Sequence, residues 1–255
     1  MLKILICILA GLGAGLGTGF AGMSAAAVIS PMLIAFLDMD PYMAVGIALA
    51  SDVLASAVSA VTYGRSKNLD VRNGLVMMAA VLCFTAVGSF VASIVPKTTM
   101  GNFSVIMTLL LGIKFIVKPV VAPKPCLTDA TTAQKIIRSL LGGALVGFIC
   151  GFVGAGGGMM MLLVLTSLLG YELKTAVGTS VFIMSVTALT GAVSHFAIGG
   201  LPDITALIVC VVSTLVFAQV AAFFANRAQP RTLNRVTGAV LVVLGAAILI
   251  VNFCK

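Results

Sequence analysis

Four places in this 255-residue chain hold residue types that could do chemistry. Asp52 lies about ten residues into an apolar run, where an ionisable group is costly and points to function by default. It could relay a proton or cation, cap a broken segment, or pair with a cation such as Lys114. His195 is the only histidine, placed at the end of another run as a relay or an interfacial anchor. The stretch GFVGAGGGMM, residues 151–160, supplies backbone instead of side chains: Gly151, Gly154, Gly156, Gly157 and Gly158. Three adjacent glycines cannot all face one neighbour and they weaken a helix. A helix broken there would start again with free N–H groups and a positive dipole end, which is a binding place for an anion. The bland reading is close helix packing, and it suits Gly11, Gly15 and Gly19 at four-residue spacing. The segment AVGTSV puts Gly178, Thr179 and Ser180 early in a long run. Their hydroxyls could bind substrate oxygens or cap neighbouring carbonyls.

The elements that position these residues must lie in a bilayer. Hydrophobic residues make up 61% and charged residues 9% of the chain, there is no Trp, and the mean hydropathy is +1.23. A soluble globule could not hide that much apolar surface, and the short alternating segments of a β-barrel are absent. Apolar runs fall at 2–22, 24–37, 42–63, 73–95, 99–118, 136–153, 157–170, 174–198, 204–225 and 232–253. Most approach the roughly 20 residues that a helical crossing needs. Runs 24–37 and 157–170 are short, and each follows a glycine cluster. The net charge of +8 does not form a nucleic-acid face: the basic residues sit in links between runs. Links 64–72, 118–138 and 226–235 carry Arg65, Lys67, Arg72, Lys118, Lys124, Lys135, Arg138, Arg227, Arg231 and Arg235. They belong on the cytoplasmic side, and the links with Asp38, Asp40 and Asp203 belong outside. The tyrosines at 42, 63 and 171 fall at run ends and are expected at the headgroups. The six cysteines show no C-x-x-C pairing and read as small core hydrophobes.

A shift of 132 residues lays GLGTGFAGMSAAAVISPML (15–33) on GFICGFVGAGGGMMMLLVL (147–165). Gly22, Met23 and Ser24 then meet Gly154, Ala155 and Gly156, and Ala44-Val45-Gly46 meets Ala176-Val177-Gly178. The chain thus reads as a first membrane repeat over 1–118, a cytoplasmic linker over 119–135 and a second repeat over 136–255. Each copy holds about five apolar segments, an odd number of crossings whether or not the first two form a re-entrant hairpin, so the copies are inverted and both termini lie outside. The expected fold is an all-α polytopic membrane protein of two inverted repeats with broken or re-entrant Gly-rich helices at the midplane, an architecture typical of secondary transporters. Because the first copy has this partner in mid-chain, residues 1–22 read as structure and not as a signal peptide.

The order G-x-x-x-G-F-x-G-x-G-G-G, a short apolar segment, A-V-G-T-S and a long span ending near Gly200 and Asp203 resembles the TauE/SafE family of membrane permeases. The likeness is strong in the second copy and diluted in the first, where Ser24-Ala25-Ala26 replaces the triple glycine and Ile47-Ala48 replaces Thr-Ser. It implies transport of sulfite, sulfoacetate or other organosulfonates across a prokaryotic inner membrane. The expected substrate-binding residues are Gly154, Gly156, Gly157, Gly158, Gly178, Thr179, Ser180, Gly22, Met23, Ser24 and Gly46, with Asp52 and His195 for ion coupling. Export of an anion from a negative-inside cell is downhill by about 2.3 kcal/mol per charge per 100 mV; uptake would need a coupled proton or sodium ion. No catalytic or metal-ligand constellation is evident, and neither a cofactor nor a nucleic acid is expected; the protein would work as a monomer or homodimer. The alternatives are a cation- or proton-coupled carrier centred on Asp52, with structural glycines, and a non-transporting membrane scaffold.

Overall fold

The computed structural model describes residues 1–92, 131–153, 157–199 and 202–253, with isolated positions between 109 and 117. Most of the run at 99–118 and most of the linker at 119–135 lie outside these residues. Among the described residues there are nine long helices and no strand: α1 Leu2–Ala21, α2 Ala26–Leu37, α3 Pro41–Arg65, α4 Val71–Ala92, α5 Thr132–Val153, α6 Gly157–Ser167, α7 Leu173–Gly199, α8 Ile204–Arg227 and α9 Pro230–Phe253. Four described segments, Leu2–Ala21, Met43–Arg65, Leu173–Val193 and Ile204–Arg227, are long and apolar enough to cross a membrane.

Acidic residues start several of the helices, because a carboxylate accepts from the free first-turn N–H groups and complements the dipole. Asp40 accepts from Met43 N at 3.1 Å before α3, Asp70 from Asn73 N at 3.0 Å before α4, and Asp203 from Ala206 N at 3.0 Å before α8. Pro41 and Pro230 occupy first positions, where a missing N–H costs nothing. Asp203 also pairs with Lys3 at the start of α1, and that ammonium, with the Ala206 N–H, holds its carboxyl below the usual carboxylate range.

Two close helix pairs flank a central pair. α1 lies along α8, with Gly11 against Ser213, Gly15 against Phe217 and Thr214, and Gly19 against Ala218 and Ala221. α5 lies along α4, with Gly143 against Met77 and Ala80, and Gly147 against Val81. In both pairs the numbers rise together, so the helices run parallel. Backbone approaches backbone here: a Cβ on Gly15 would lie 2.7 Å from the Thr214 carbonyl oxygen, and one on Gly143 2.6 Å from that of Met77. Packing therefore explains this glycine spacing. Between the pairs α3 and α7 run antiparallel, Tyr63 meeting Gly178 and Leu49 meeting Gly191. Large apolar side chains such as Leu54, Leu75, Phe84, Val216 and Phe224 point outward.

The ends of the bundle differ in charge. Lys3 and Asp203 meet at one end. At the other, the link after α3, the link before α7 and the last turn of α8 come together: Asn68 Nδ2 donates to Asn226 Oδ1 at 2.8 Å, Lys174 Nζ to the Asn226 carbonyl at 2.9 Å, and Tyr171 Oη to Asp70 Oδ2 at 2.6 Å. Arg65, Lys67, Arg72 and Arg227 belong to this end.

Candidate functional site

The first break is a defined turn. α1 stops at Ala21, and Gly22 takes φ 59° and ψ 33°, the left-handed region that a Cβ disfavours. Gly22 N donates to the Thr18 carbonyl at 2.9 Å and Met23 N to that of Gly17 at 3.2 Å. The last carbonyls of a helix need partners, and three side chains assist. Tyr63 Oη donates to the Gly19 carbonyl at 2.8 Å, Thr18 Oγ1 to that of Met23 at 2.9 Å, and Ser180 Oγ to that of Gly22 at 3.3 Å. Ser180 Oγ stands where a Cβ on Gly22 would be. Met23 and Ser24 are buried, and Ser24 Oγ accepts from Ala26 N at 3.3 Å at the start of α2.

The start of α6 lies on this break. A Cβ on Gly158 would be 2.5 Å from Ser24 N and 2.8 Å from the Gly22 carbonyl oxygen. Gly157 is the first residue of α6; Gly154 and Gly156 lie outside the described residues. Two helix N-termini, those of α2 and α6, thus come close together in the interior.

Asp52 faces the same place from α3. It is fully buried, and its Oδ1 accepts from Ser56 Oγ at 2.7 Å. The Ser24 hydroxyl and the Ala25 N–H face the carboxyl, and Cys150 in the last turn of α5 lies within its electrostatic reach. Oδ2 has no hydrogen-bond partner among the described residues. The carboxyl therefore stands before the positive end of α2.

The sequence-predicted residues divide by position. Gly22, Met23, Ser24, Gly158, Ser180 and Asp52 come together. Gly178 and Thr179 sit farther along, beneath the link after α3: Gly178 packs on the Asn68 carbonyl, and Thr179 Oγ1 accepts from Asp70 N at 3.2 Å. Gly46 is buried in α3. His195 falls in α7 with its side chain outside the described atoms, and Lys114 is outside them altogether. One expectation is corrected. Tyr63 is fully buried instead of lying at the headgroups, because its hydroxyl is drawn inward to the Gly19 carbonyl. Sequence reasoning also passed over Ser56 and Ser59, although Asp52, Ser56, Ser59 and Tyr63 follow i, i+4, i+7, i+11 spacing and so form one polar stripe down α3. Ser59 Oγ, like Asp52 Oδ2, is buried without a hydrogen-bond partner among the described residues.

Comparison with known proteins finds relatives over nearly the whole chain. Residues 7–248 match the family described as "Sulfite exporter TauE/SafE". Among curated proteins of Bacillus subtilis (strain 168), the chain is 25% identical over 268 residues to "Probable membrane transporter protein YunE", covering 97% of this chain and 98% of the relative. It is 24% identical over 230 residues to "Probable membrane transporter protein YdhB", covering 89% and 90%. With a family match that spans nearly all of its length, the chain belongs to the TauE/SafE family of membrane proteins.

Proposed function

We propose that this protein is a secondary transporter that moves small sulfur-containing anions, such as sulfite, sulfoacetate or other organosulfonates, across the inner membrane of a prokaryote. The anion binds where the α2 and α6 N-termini meet, held by N–H groups of Gly156, Gly157 and Gly158 and by the hydroxyls of Ser24 and Ser180. Gly22 and Met23 shape the opposing wall, while Gly46, Gly178 and Thr179 position the elements around it. The observation that carries this reading is the contact of Gly158 with the Gly22–Ser24 turn, since two breaks meeting inside an apolar bundle provide donors where lipid provides none. Membership in a family described by sulfite export and likeness to proteins named as membrane transporters support the substrate class and the role.

In this reading the halves are inverted repeats about a pseudo-two-fold axis. The shift of 132 residues that carries α1 onto α5 carries α4 onto α8, so the α1–α8 pair and the α4–α5 pair are equivalents, and both pack through glycine. The hairpins α1–α2 and α5–α6 are re-entrant, entering from opposite sides. The end with Arg65, Lys67 and Arg227 is cytoplasmic and the end with Lys3 and Asp203 is outside. Alternating access follows from rocking one half against the other around the fixed site.

The test is solute flux in proteoliposomes over sulfite, thiosulfate, sulfate, sulfoacetate and non-sulfur organic acids. Saturable flux of sulfur oxyanions is expected, and Gly158→Val should abolish it by driving α6 off the first break while expression persists. Flux of the organic acids alone, or an active Gly158→Val, would overturn the proposal.

A further inference from the structure

The positive end of α2 is already faced by a negative group of the chain itself, and this has a consequence for the anion site beside it. Asp52 is fully buried, with Ser56 on Oδ1, the Ser24 hydroxyl and Ala25 N–H in front of it, and Oδ2 without a hydrogen-bond partner among the described residues. Among those residues no cation compensates it. Of the elements packed around α3, α2 carries no titratable side chain. Cys210 of α8 is turned to the Cys7 carbonyl of α1. Lys174 of α7 is engaged with the Asn226 carbonyl at the basic end, level with the far end of α3. His195 lies toward the other end of α7, and α5 brings only Cys150 within reach. On α3 itself Tyr63 gives its hydroxyl to Gly19.

A buried carboxylate with one bare oxygen needs a compensating charge. No group of three His, Cys, Asp or Glu that could hold a metal ion gathers among the described residues, and a sodium ion would call for several oxygens converging on the carboxyl. A proton needs only Oδ2. The neighbouring α6 N-terminus, which the proposed function assigns to the transported anion, makes the need conditional: two negative charges this close in a medium of low dielectric repel strongly. We infer that Asp52 is the proton-binding residue of the carrier, and that an anion occupies the crossing of the two breaks together with one proton on Asp52. The inference rests on the anion reading of this site. By reciprocity, each ligand then tightens the binding of the other, and a monovalent anion moves without net charge.

Sulfoacetate binding to the purified protein, followed by calorimetry from mildly acidic to alkaline pH, tests the linkage. The wild type should bind roughly tenfold more tightly for each unit that the pH falls while Asp52 is ionised in the empty protein. Asp52→Asn should bind at every pH with no such slope, and Asp52→Glu should restore the slope. A flat wild-type profile, a slope retained in Asp52→Asn, or a dependence on sodium in place of protons would overturn the inference. Infrared titration of the anion-free protein separates this from failure of the substrate assignment. A protonated-carboxyl band that appears on acidification in the wild type, is missing in Asp52→Asn and is displaced in Asp52→Glu supports proton binding whether or not sulfoacetate binds. Identical bands in the wild type and Asp52→Asn would rule it out.

Discussion

Gly22 shows how tightly single residues are held at the crossing. Its left-handed backbone disfavours any Cβ, and Ser180 Oγ already fills the space that a Cβ would take. Gly22→Ala should therefore lose stability twice, about 1–2 kcal/mol from the backbone and more from displacing the serine. Ser180→Gly in the same chain should recover only the second part, so the two substitutions will be non-additive. Thermal unfolding of the four proteins in detergent measures this; additive losses would mean that Ser180 does not seat the turn. The neighbouring AVGTSV segment offers hydroxyls for either substrate binding or capping, and its geometry divides it. Ser180 belongs to the crossing, while Thr179 bonds Asp70 N and Gly178 makes room for the Asn68 carbonyl. Nothing in the order of those residues separates them, because the difference comes from what α3 and its following link bring alongside.

Helices in a bilayer gain little from hydrophobic burial against one another, so close backbone packing has to hold them. α1 and α5 meet this need in the same way, and in the proposed repeat their glycine stripes correspond. Gly15→Leu should force α1 from α8, and Gly147→Leu should force α5 from α4, each at a cost of about 1–3 kcal/mol for overpacking. In both places the groups met first include main-chain atoms that cannot swing aside. Resistance to unfolding in a denaturing detergent checks this. A similar drop for both variants fits the equivalence of the halves, whereas an unaffected Gly147→Leu would contradict it. Most helix bounds were legible in the chain: the apolar runs at 24–37, 42–63, 136–153, 174–198 and 232–253 correspond to helices within a few residues at each end. The legibility is physical, since a spanning helix must be apolar throughout and its links must be polar. The burial of Tyr63 was not legible, because a tyrosine at a run end has the same sequence signature whether its hydroxyl turns to the headgroups or to a carbonyl inside.

Across the molecule, the Asn68–Asn226 and Tyr171–Asp70 bonds tie the first half of the chain to the second at the basic end. Rocking of one half against the other would have to open them. Asn68→Cys with Asn226→Cys, in a background without other cysteines, should stop flux when cross-linked and restore it on reduction; undiminished flux in the linked protein would show that this end does not part. Tyr171 should add a pH dependence to stability. Burial, and then its hydrogen bond to Asp70, raise the phenol well above the ordinary tyrosine range. The folded state holds that proton more tightly than the unfolded chain does, so the stabilisation is complete below the ordinary value of about 10 and is lost as the pH rises through the raised one. Tyr171→Phe should lower the melting temperature at neutral pH and flatten its alkaline decline.

Composition and motif order were enough to establish the membrane class and the family, because lipid imposes its demands on every residue of a spanning segment and leaves them readable in one dimension. What required the folded chain was the meeting of distant parts: Gly158 against Ser24, Asp52 before the start of α2, and Lys3 beside Asp203. Those encounters join residues more than a hundred positions apart, or on different faces of different helices, and depend on how α1, α3 and α8 cross. No local propensity encodes a crossing angle; it emerges when small residues let backbones approach and fix which side chain faces which helix end.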